Sequence, residues 1–211
     1  MVFLPGVLVV LLLTLSARAD LEVPKADGDS GVVLAEAVAD LNRAFARASK
    51  VEVFEGLPHP FEGKEFVKSE RLAKSTFELD GQWLYATAHR MPAEDVIAFQ
   101  RWASGEPFKV WRGVKFCGGF HADYVVQFEG DGATYSVLFC FGCYEARIMR
   151  VSAGRTVDGA LEPARVTADL AEAKFKELRD LLAKYRSQRP PTPPRKGQVP
   201  PPPPPKVPIQ F

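Results

Sequence analysis

The sequence predicts an α+β domain, in which a mostly antiparallel sheet has helices packed on one face. Hydrophobic residues alternate with polar ones over about 109–150, which is the two-residue period of β-strands. Two other segments, 31–48 and 167–186, repeat their hydrophobic residues every three or four positions, as amphipathic helices do. These two helices are expected to cover one face of the sheet, with a short helix at 92–103 elsewhere.

The first 19 residues have the features of a secretory signal peptide. The apolar run at 7–15 is too short to span a bilayer, and Ala17-Arg18-Ala19 matches a cleavage pattern. No later segment approaches 18 consecutive apolar residues. The sequence therefore predicts an exported protein, secreted or periplasmic, whose mature chain has no transmembrane segment.

Local patterns predict the elements that precede the main sheet. Asp29 or Ser30 can cap the helix at 31–48. Pro92 opens the short helix at 92–103, and Gly105 ends it. Short strands are predicted at 51–54, 75–79 and 83–86, the last two joined by a turn at Asp80-Gly81.

Four strands of an antiparallel meander are predicted at about 109–117, 122–129, 133–140 and 143–150. Gly118-Gly119 supplies the first reversal, 129–132 is a strong hairpin turn, and Phe141-Gly142 supplies the third. The alternative to this third turn is one continuous strand over 134–150 with a bulge at Gly142. Alternate turns of a meander lie at the same end of the sheet, so the first and third turns should be neighbours.

The C-terminal part of the chain divides into a helix and a tail. Thr167 caps a predicted helix that runs to about Arg186, which completes a single domain over 20–186. Eleven of the 18 prolines lie in the tail, 187–211, which is expected to be extended or disordered. The tail is interpreted as a spacer or disordered end, and alternatively as a ligand for an envelope protein partner.

The charge distribution argues against nucleic acid as a partner. All 26 acidic residues lie within 20–186, whereas the tail carries four basic residues and no acid. The domain itself is therefore net negative and has no basic stripe with interleaved aromatic residues.

Most of the chemical information lies in one cluster of four residues. If the meander is correct, the first and third turns bring these residues to one end of the sheet: Cys117, His121, Cys140 and Cys143. Three interpretations stay open. In the first, Cys117 forms a disulfide with Cys140 or Cys143, which closes a loop of about 25 residues and stabilises the fold by roughly 3 kcal/mol. The remaining thiol is then buried.

In the second interpretation, the spacing C-x3-H-x18-C-x2-C supplies four ligands for zinc or a similar metal ion. In the third, Cys140 and Cys143 are a redox pair, or Cys117 is a nucleophile with His121 as its base. A redox pair usually opens a helix, whereas these cysteines lie between strand-like segments.

Several nearby residues have simpler interpretations. His59, between two prolines, is expected to be an exposed turn residue, with a ligand role as the alternative. Asp123 and Glu145 are expected to be exposed acids at strand ends, although Asp123 is also a candidate partner for His121. Four phenylalanines around the cluster are expected to belong to the core: Phe116, Phe120, Phe139 and Phe141.

Three motifs together resemble a group of exported bacterial hypothetical proteins of unknown function. These motifs are Glu55-Gly56-Leu57-Pro58-His59, the segment 117–124 (Cys-Gly-Gly-Phe-His-Ala-Asp-Tyr), and Cys140-Phe141-Gly142-Cys143 with Glu145. In that group, proline often follows the histidine of the second motif and histidine often follows the last cysteine. Ala122 and Tyr144 occupy those positions here. The resemblance covers about 51–186 and implies no activity or cofactor.

The leading expectation is an exported, non-enzymatic domain whose Cys/His cluster is structural and which binds an envelope partner. The alternative is a metal-handling or thiol-redox protein that uses Cys117, His121, Cys140 and Cys143.

Overall fold

A computed structural model describes residues 29–113, 115, 118–152 and 164–191. The proposed signal peptide at 1–19, Cys117 and the tail beyond residue 191 lie outside these ranges. Within them, the helices are α1 (Asp29–Phe45), α2 (Lys64–Ala73), α3 (Ala93–Ser104) and α4 (Glu172–Ala183). The strands are β1 (Val51–Glu55), β2 (Thr76–Leu79), β3 (Gln82–Tyr85), β4 (His89–Arg90), β5 (Phe108–Val110), β6 (Tyr124–Gly130), β7 (Ala133–Cys140), β8 (Glu145–Ser152) and β9 (Ala164–Leu170).

Seven strands form one antiparallel sheet in the order β4-β1-β6-β7-β8-β9-β5. β2 and β3 form a separate two-stranded hairpin. A row of β-branched residues crosses the centre of the large sheet at matching register: Val53, Val126, Val137 and Ile148. The α+β fold predicted from the sequence is confirmed. Among the described residues, no helix has both the length and the apolar character needed to cross a membrane.

The two faces of the sheet have different covers. Residues of α1, α3 and α4 share one large core with the first face, including the fully buried Phe99, Trp102 and Leu178. The β2–β3 hairpin covers the second face, where Leu84 packs with Leu138. The expectation that the 92–103 helix lies elsewhere is therefore wrong, because Trp102 faces the same core as α1 and α4.

The strand predicted at 109–117 is shorter and pairs differently. β5 ends at Val110 and pairs with β9 at the far edge of the sheet, not with β6. Phe108 packs edge-on against Trp102, with 5.5 Å between ring centroids, so burial under α3 selects this pairing. The Gly118-Gly119 reversal consequently does not join two neighbouring strands. A two-residue period identifies a strand but not its partner.

The helix predicted at 167–186 begins later. β9 occupies Ala164–Leu170, and Thr167 pairs with Arg147 of β8 inside the sheet. The alternate residues Ala168 and Leu170 are buried, as expected of a strand with one face on the core. The hydrophobic pattern of 167–186 also fits a helix, but pairing with β8 and β5 makes its first residues a strand. Helix α2 was not predicted from the sequence, and none of its residues is buried.

Three of the four predicted turns agree with the structure. Asp80-Gly81 joins β2 to β3 and Asp131-Gly132 joins β6 to β7, and all four residues have φ between 50° and 71°. The hairpin at Phe141-Gly142 is also confirmed over the continuous strand, because Cys140 at the end of β7 pairs with Glu145 at the start of β8.

Candidate functional site

The three sequence motifs meet at one rim of the sheet. Antiparallel pairing places the end of β1, the start of β6 and the end of β7 beside one another, since Glu55 pairs with Tyr124 and Tyr124 pairs with Phe139. The motif residues that are not in strands lie just outside these pairs, at 56–59, 118–123 and 141–144. Three segments distant in sequence therefore share one end of the domain.

Gly56 allows the first two motifs to pack backbone to backbone. Its N–H donates to the carbonyl of Asp123 at 2.8 Å. A Cβ atom at residue 56 would lie 1.8 Å from the carbonyl oxygen of Ala122, which is a backbone atom that cannot move aside easily. Only glycine fits this approach.

Glu55 anchors the beginning of the C-terminal tail. Its side chain points into the helix-covered face and is 1% exposed. Its two carboxylate oxygens accept hydrogen bonds of 2.7–3.1 Å from the backbone N–H groups of Ser187, Gln188 and Arg189. These three residues, assigned from sequence to a disordered or extended tail, are bound to the domain.

Arg189 joins the tail to the rim. Its guanidinium donates to the Gly56 carbonyl oxygen at 3.0 and 3.1 Å and to Asp123 Oδ1 at 3.1 Å. Asp123 Oδ2 accepts from the backbone N–H of Phe141 at 2.7 Å. The expectation that Asp123 is an exposed acid is therefore wrong, since the carboxylate ties the second motif to the third and to the tail.

Glu145, the other acid expected to be exposed, is also buried. Its side chain is 6% exposed, and Oε1 accepts a hydrogen bond from the indole N–H of Trp111. Like Asp123, it is a structural acceptor at the rim.

The structure brings together His121, Cys140 and Cys143, three of the four residues predicted to converge. Burial raises the pKa of the Cys140 thiol, against hydrogen bonds from the backbone N–H groups of His121 and Cys143. The Cys143 Sγ lies 3.4 Å from the carbonyl oxygen of Gly119. Cys117 itself lies outside the described residues. Within the described ranges, no three His, Cys, Asp or Glu side chains are grouped so that they could hold a metal ion.

A cavity of about 190 Å³ lies beside this rim. Its walls come from 57–60, 81–83 and 118–121, together with Val67 of α2, so residues of the first two motifs line it. The rings of His59 and His121 lie 4.7 Å apart, centroid to centroid, at an angle of 56°. Sequence reasoning considered the two histidines separately and did not predict this pocket.

His59 is held by its own local structure. Its Nδ1 accepts the N–H of Phe61 at 3.1 Å, and its backbone N–H donates to Glu62 Oε1 at 3.0 Å, which caps the 3-10 helix Pro60–Glu62. The Phe61 ring stacks on His59 and lies against Gly118, where a Cβ atom would come within 2.0 Å of it. His59 is therefore a fixed, half-buried wall of the pocket and not a freely exposed turn residue.

His121 is buried in its neutral form. Burial lowers its pKa to about 4, because the charged ring would lose its hydration; Asp123 acts in the opposite direction, and Arg189 and His59 lower the pKa further. Its Nδ1 lies 3.9 Å from Asp123 Oδ1, beyond hydrogen-bonding distance, and has no hydrogen-bond partner among the described residues. The suggested orienting bond between Asp123 and His121 is thus absent within the described part of the chain.

The His121→Gln variant is expected to have a weaker dependence of stability on pH. An unfolded histidine titrates near 6.5, whereas folded His121 titrates at about 4. As pH falls between these values, only the unfolded chain gains the proton, so the free energy of unfolding decreases. Urea denaturation at pH 7 and pH 4.5 should show a loss about 2 kcal/mol smaller in the variant than in wild type. His89→Gln, outside the pocket, is the control; equal losses in wild type and His121→Gln would contradict the burial argument.

A second, larger cavity of about 490 Å³ lies between the start of β1 and α3. It is lined by 48–51, 90–93, Val96 and Ile97 and contains none of the motif residues. The smaller cavity is therefore the candidate site, because the motif residues converge on it.

Comparison of the chain with protein-family models, curated proteins and solved structures found no match in any of the three. The resemblance of the motifs to a group of exported bacterial proteins stays a prediction. The function has to be inferred from the rim, the anchored tail and the pocket.

Proposed function

We propose that the chain is an exported, secreted or periplasmic, non-enzymatic domain whose cysteine rim is structural and which binds an envelope partner. The observation that carries this proposal is the environment of Cys140. Its thiol is 1% exposed, and burial raises its pKa, so it is a poor nucleophile and a poor redox group. Such a thiol serves packing rather than chemistry.

The chemistry of His121 supports the same proposal. With a pKa of about 4, this histidine is almost entirely in its neutral form at pH 7 and is a weak base there. An efficient general base has a pKa near the working pH. The pair Cys117 and His121 therefore makes an unfavourable nucleophile and base.

We assign the structural bond of the rim to a Cys117–Cys143 disulfide. Lys115 and Gly119, which lie two residues before and two residues after Cys117, both contact Cys143. The Lys115 Nζ donates to the Cys143 carbonyl at 2.8 Å, and the Gly119 carbonyl oxygen lies 3.4 Å from Cys143 Sγ. A disulfide needs Cα atoms within about 7 Å, which is roughly the span of two residues. Cys140, the free buried thiol, is left as the third cysteine.

The anchored tail supports partner binding. Glu55 and Arg189 hold the chain immediately before Pro190, so the proline-rich segment leaves the domain from a defined point. Proline-rich segments are pre-organised ligands for aromatic-lined grooves, because they lose little entropy on binding. An envelope protein with such a groove is the proposed partner.

Thiol titration of the exported mature protein tests the rim. We expect no reactive thiol in the native state, one in denaturant, and three after reduction, because only Cys140 is free and it is buried. Cys140→Ala should show none in denaturant, whereas Cys143→Ala should show two. Addition of a chelator should change none of these counts.

Two outcomes would overturn this proposal in favour of the alternative. Three thiols released in denaturant only after chelation, with zinc in the purified protein, would indicate a metal-handling role for Cys117, His121, Cys140 and Cys143. A rapidly and reversibly reactive thiol in the native protein would indicate a thiol-redox role.

A further inference from the structure

The polar side chains that line the pocket beside the rim offer mainly hydrogen-bond donors. His59 Nδ1 is occupied by the Phe61 N–H, so the proton of the neutral ring is on Nε2, and the ring presents a donor. Gln82 Oε1 accepts the N–H of Ala122 at 3.1 Å, which leaves its amide nitrogen as the remaining group. Trp83 offers only an indole N–H. All three residues line the same cavity.

Within the described part of the chain, the side-chain hydrogen bonds of His59 and Gln82 use Nδ1 and Oε1 and not their N–H groups, and the contact of the Trp83 ring is with the Arg71 guanidinium. A ligand that complements these N–H groups must bring hydrogen-bond acceptors. His121 Nδ1, an acceptor without a hydrogen-bond partner among the described residues, is shielded from solvent and is not available to a ligand. Donors without acceptors favour a carbonyl or carboxylate oxygen.

One cation beside the pocket, Arg71, favours an anion over a neutral carbonyl at the Trp83 end. Arg71 lies over the Trp83 ring, with its guanidinium carbon 3.4 Å from the centroid, and it has no carboxylate partner among the described residues. Asp80 is paired with Arg147 and Arg165, and Asp123 is paired with Arg189. The carboxylate of Glu62 also lies beside the pocket, where it accepts the backbone N–H of His59. A carboxylate bound at the indole N–H would approach this unpaired cation.

The remaining walls are apolar and limit the size of the ligand. Leu57, Pro58, Pro60, Val67 and Phe120 supply apolar side chains, and Gly81, Gly118, Gly119 and His121 complete the lining. Phe61, 68% exposed, stacks on His59. The volume of about 190 Å³ is below the ~300–1,000 Å³ of drug-sized sites. The site therefore fits a short apolar body, such as one ring or a branched side chain.

A metal ion is a poor match for the same groups. Coordination through His59 Nε2 would move the ring proton to Nδ1, where it would oppose the N–H of Phe61 and remove the cap of the 3-10 helix. His59 is consequently better suited to an acceptor ligand than to a cation.

We propose that the pocket lined by His59, Gln82 and Trp83 binds a small carboxylate attached to a short apolar body. Two sources supply this chemistry: free organic acids, and the C-terminal carboxylate of a peptide. This site goes beyond the proposed structural role of the cysteine rim and does not depend on it.

Titration of the mature protein with benzoate, followed by NMR or calorimetry, tests the proposal. Gln82→Glu is the sharpest variant, because it keeps the oxygen that accepts from Ala122 and replaces the donor by a charged acceptor. Benzoate should bind saturably to wild type, and Gln82→Glu should weaken it about tenfold or more. Trp83→Phe, which keeps a ring but loses the N–H, should also weaken it. Gln100→Glu on α3 adds the same charge away from the pocket and should bind as wild type does.

Benzyl alcohol and two versions of a short peptide, Gly-Gly-Val with a free or an amidated C-terminus, complete the design. The proposal expects benzyl alcohol and the amidated peptide to bind more weakly than their carboxylate counterparts. Tighter binding of the free peptide than of benzoate identifies a chain end as the source, and the reverse identifies free acids. Equal binding of benzoate and benzyl alcohol, unchanged affinity in Gln82→Glu, or no saturable binding of either carboxylate would overturn it, as would Zn²⁺ binding that His59→Gln abolishes.

Discussion

Glu55→Ala is expected to lower the free energy of unfolding by about 3–5 kcal/mol, which is the range for breaking a buried charged network by removing one member. The substitution leaves the backbone N–H groups of Ser187, Gln188 and Arg189 without their acceptor. It also releases the backbone of Arg189, whose side chain is 11% exposed and is paired with Asp123. Equilibrium unfolding in urea at pH 7 measures the loss.

Glu52→Ala is the matched control for this prediction. Glu52 lies on the same strand, but its side chain is 26% exposed and pairs with the exposed Lys50 at 2.8 Å. Such a pair contributes at most about 1 kcal/mol. Losses of similar size in the two variants would show that the carboxylate of Glu55 does not hold the tail.

Two truncations locate the part of the tail that belongs to the domain. Removal of all residues after Pro191 should leave the urea midpoint almost unchanged, because the hydrogen bonds to Glu55 and Gly56 remain. Removal of all residues after Arg186 leaves the buried carboxylate of Glu55 without its three backbone N–H donors. This truncation should destabilise the domain about as much as Glu55→Ala. Equal midpoints for the two truncations would contradict the anchoring.

Gly56→Ala is expected to destabilise the fold by about 3 kcal/mol or more, because a methyl group here meets backbone that cannot repack. The new Cβ would lie 1.8 Å from the Ala122 carbonyl oxygen and 3.2 Å from that of Asp123. The strand ends must separate to relieve this contact, which also breaks the bond from Gly56 N–H to Asp123. A large loss of the urea midpoint, together with shifted signals for the pocket residues, is the expected result.

Gly142→Ala is the control, since it lies in the third motif but has nothing within 4 Å of the added Cβ and does not have a positive φ. It should be neutral or slightly stabilising, by up to about 1 kcal/mol, through reduced entropy of the unfolded chain. If Gly56→Ala were as well tolerated as Gly142→Ala, the close approach of the first two motifs would be refuted.

Part of the candidate site was accessible from the sequence. Glu55 follows Val51 and Val53 at the same two-residue spacing, so it lies on the buried side of β1. A carboxylate buried in this way requires hydrogen-bond or charge partners. The identity of those partners was not predictable, because Ser187–Arg189 follow more than 130 residues later and have no pattern of their own. The pocket was missed for the same reason, since His59 and His121 meet only when β1 pairs with β6.

The sequence by itself determined the α+β class and the turns at Asp80-Gly81 and Asp131-Gly132. These features follow from local periodicity and from backbone conformations that few residues adopt. The tertiary structure alone decided that β5 pairs with β9, that Thr167 lies in a strand, and that the tail docks on Glu55. Each of these depends on burial against distant residues, and the free energy of such contacts is not encoded in any short stretch of the chain.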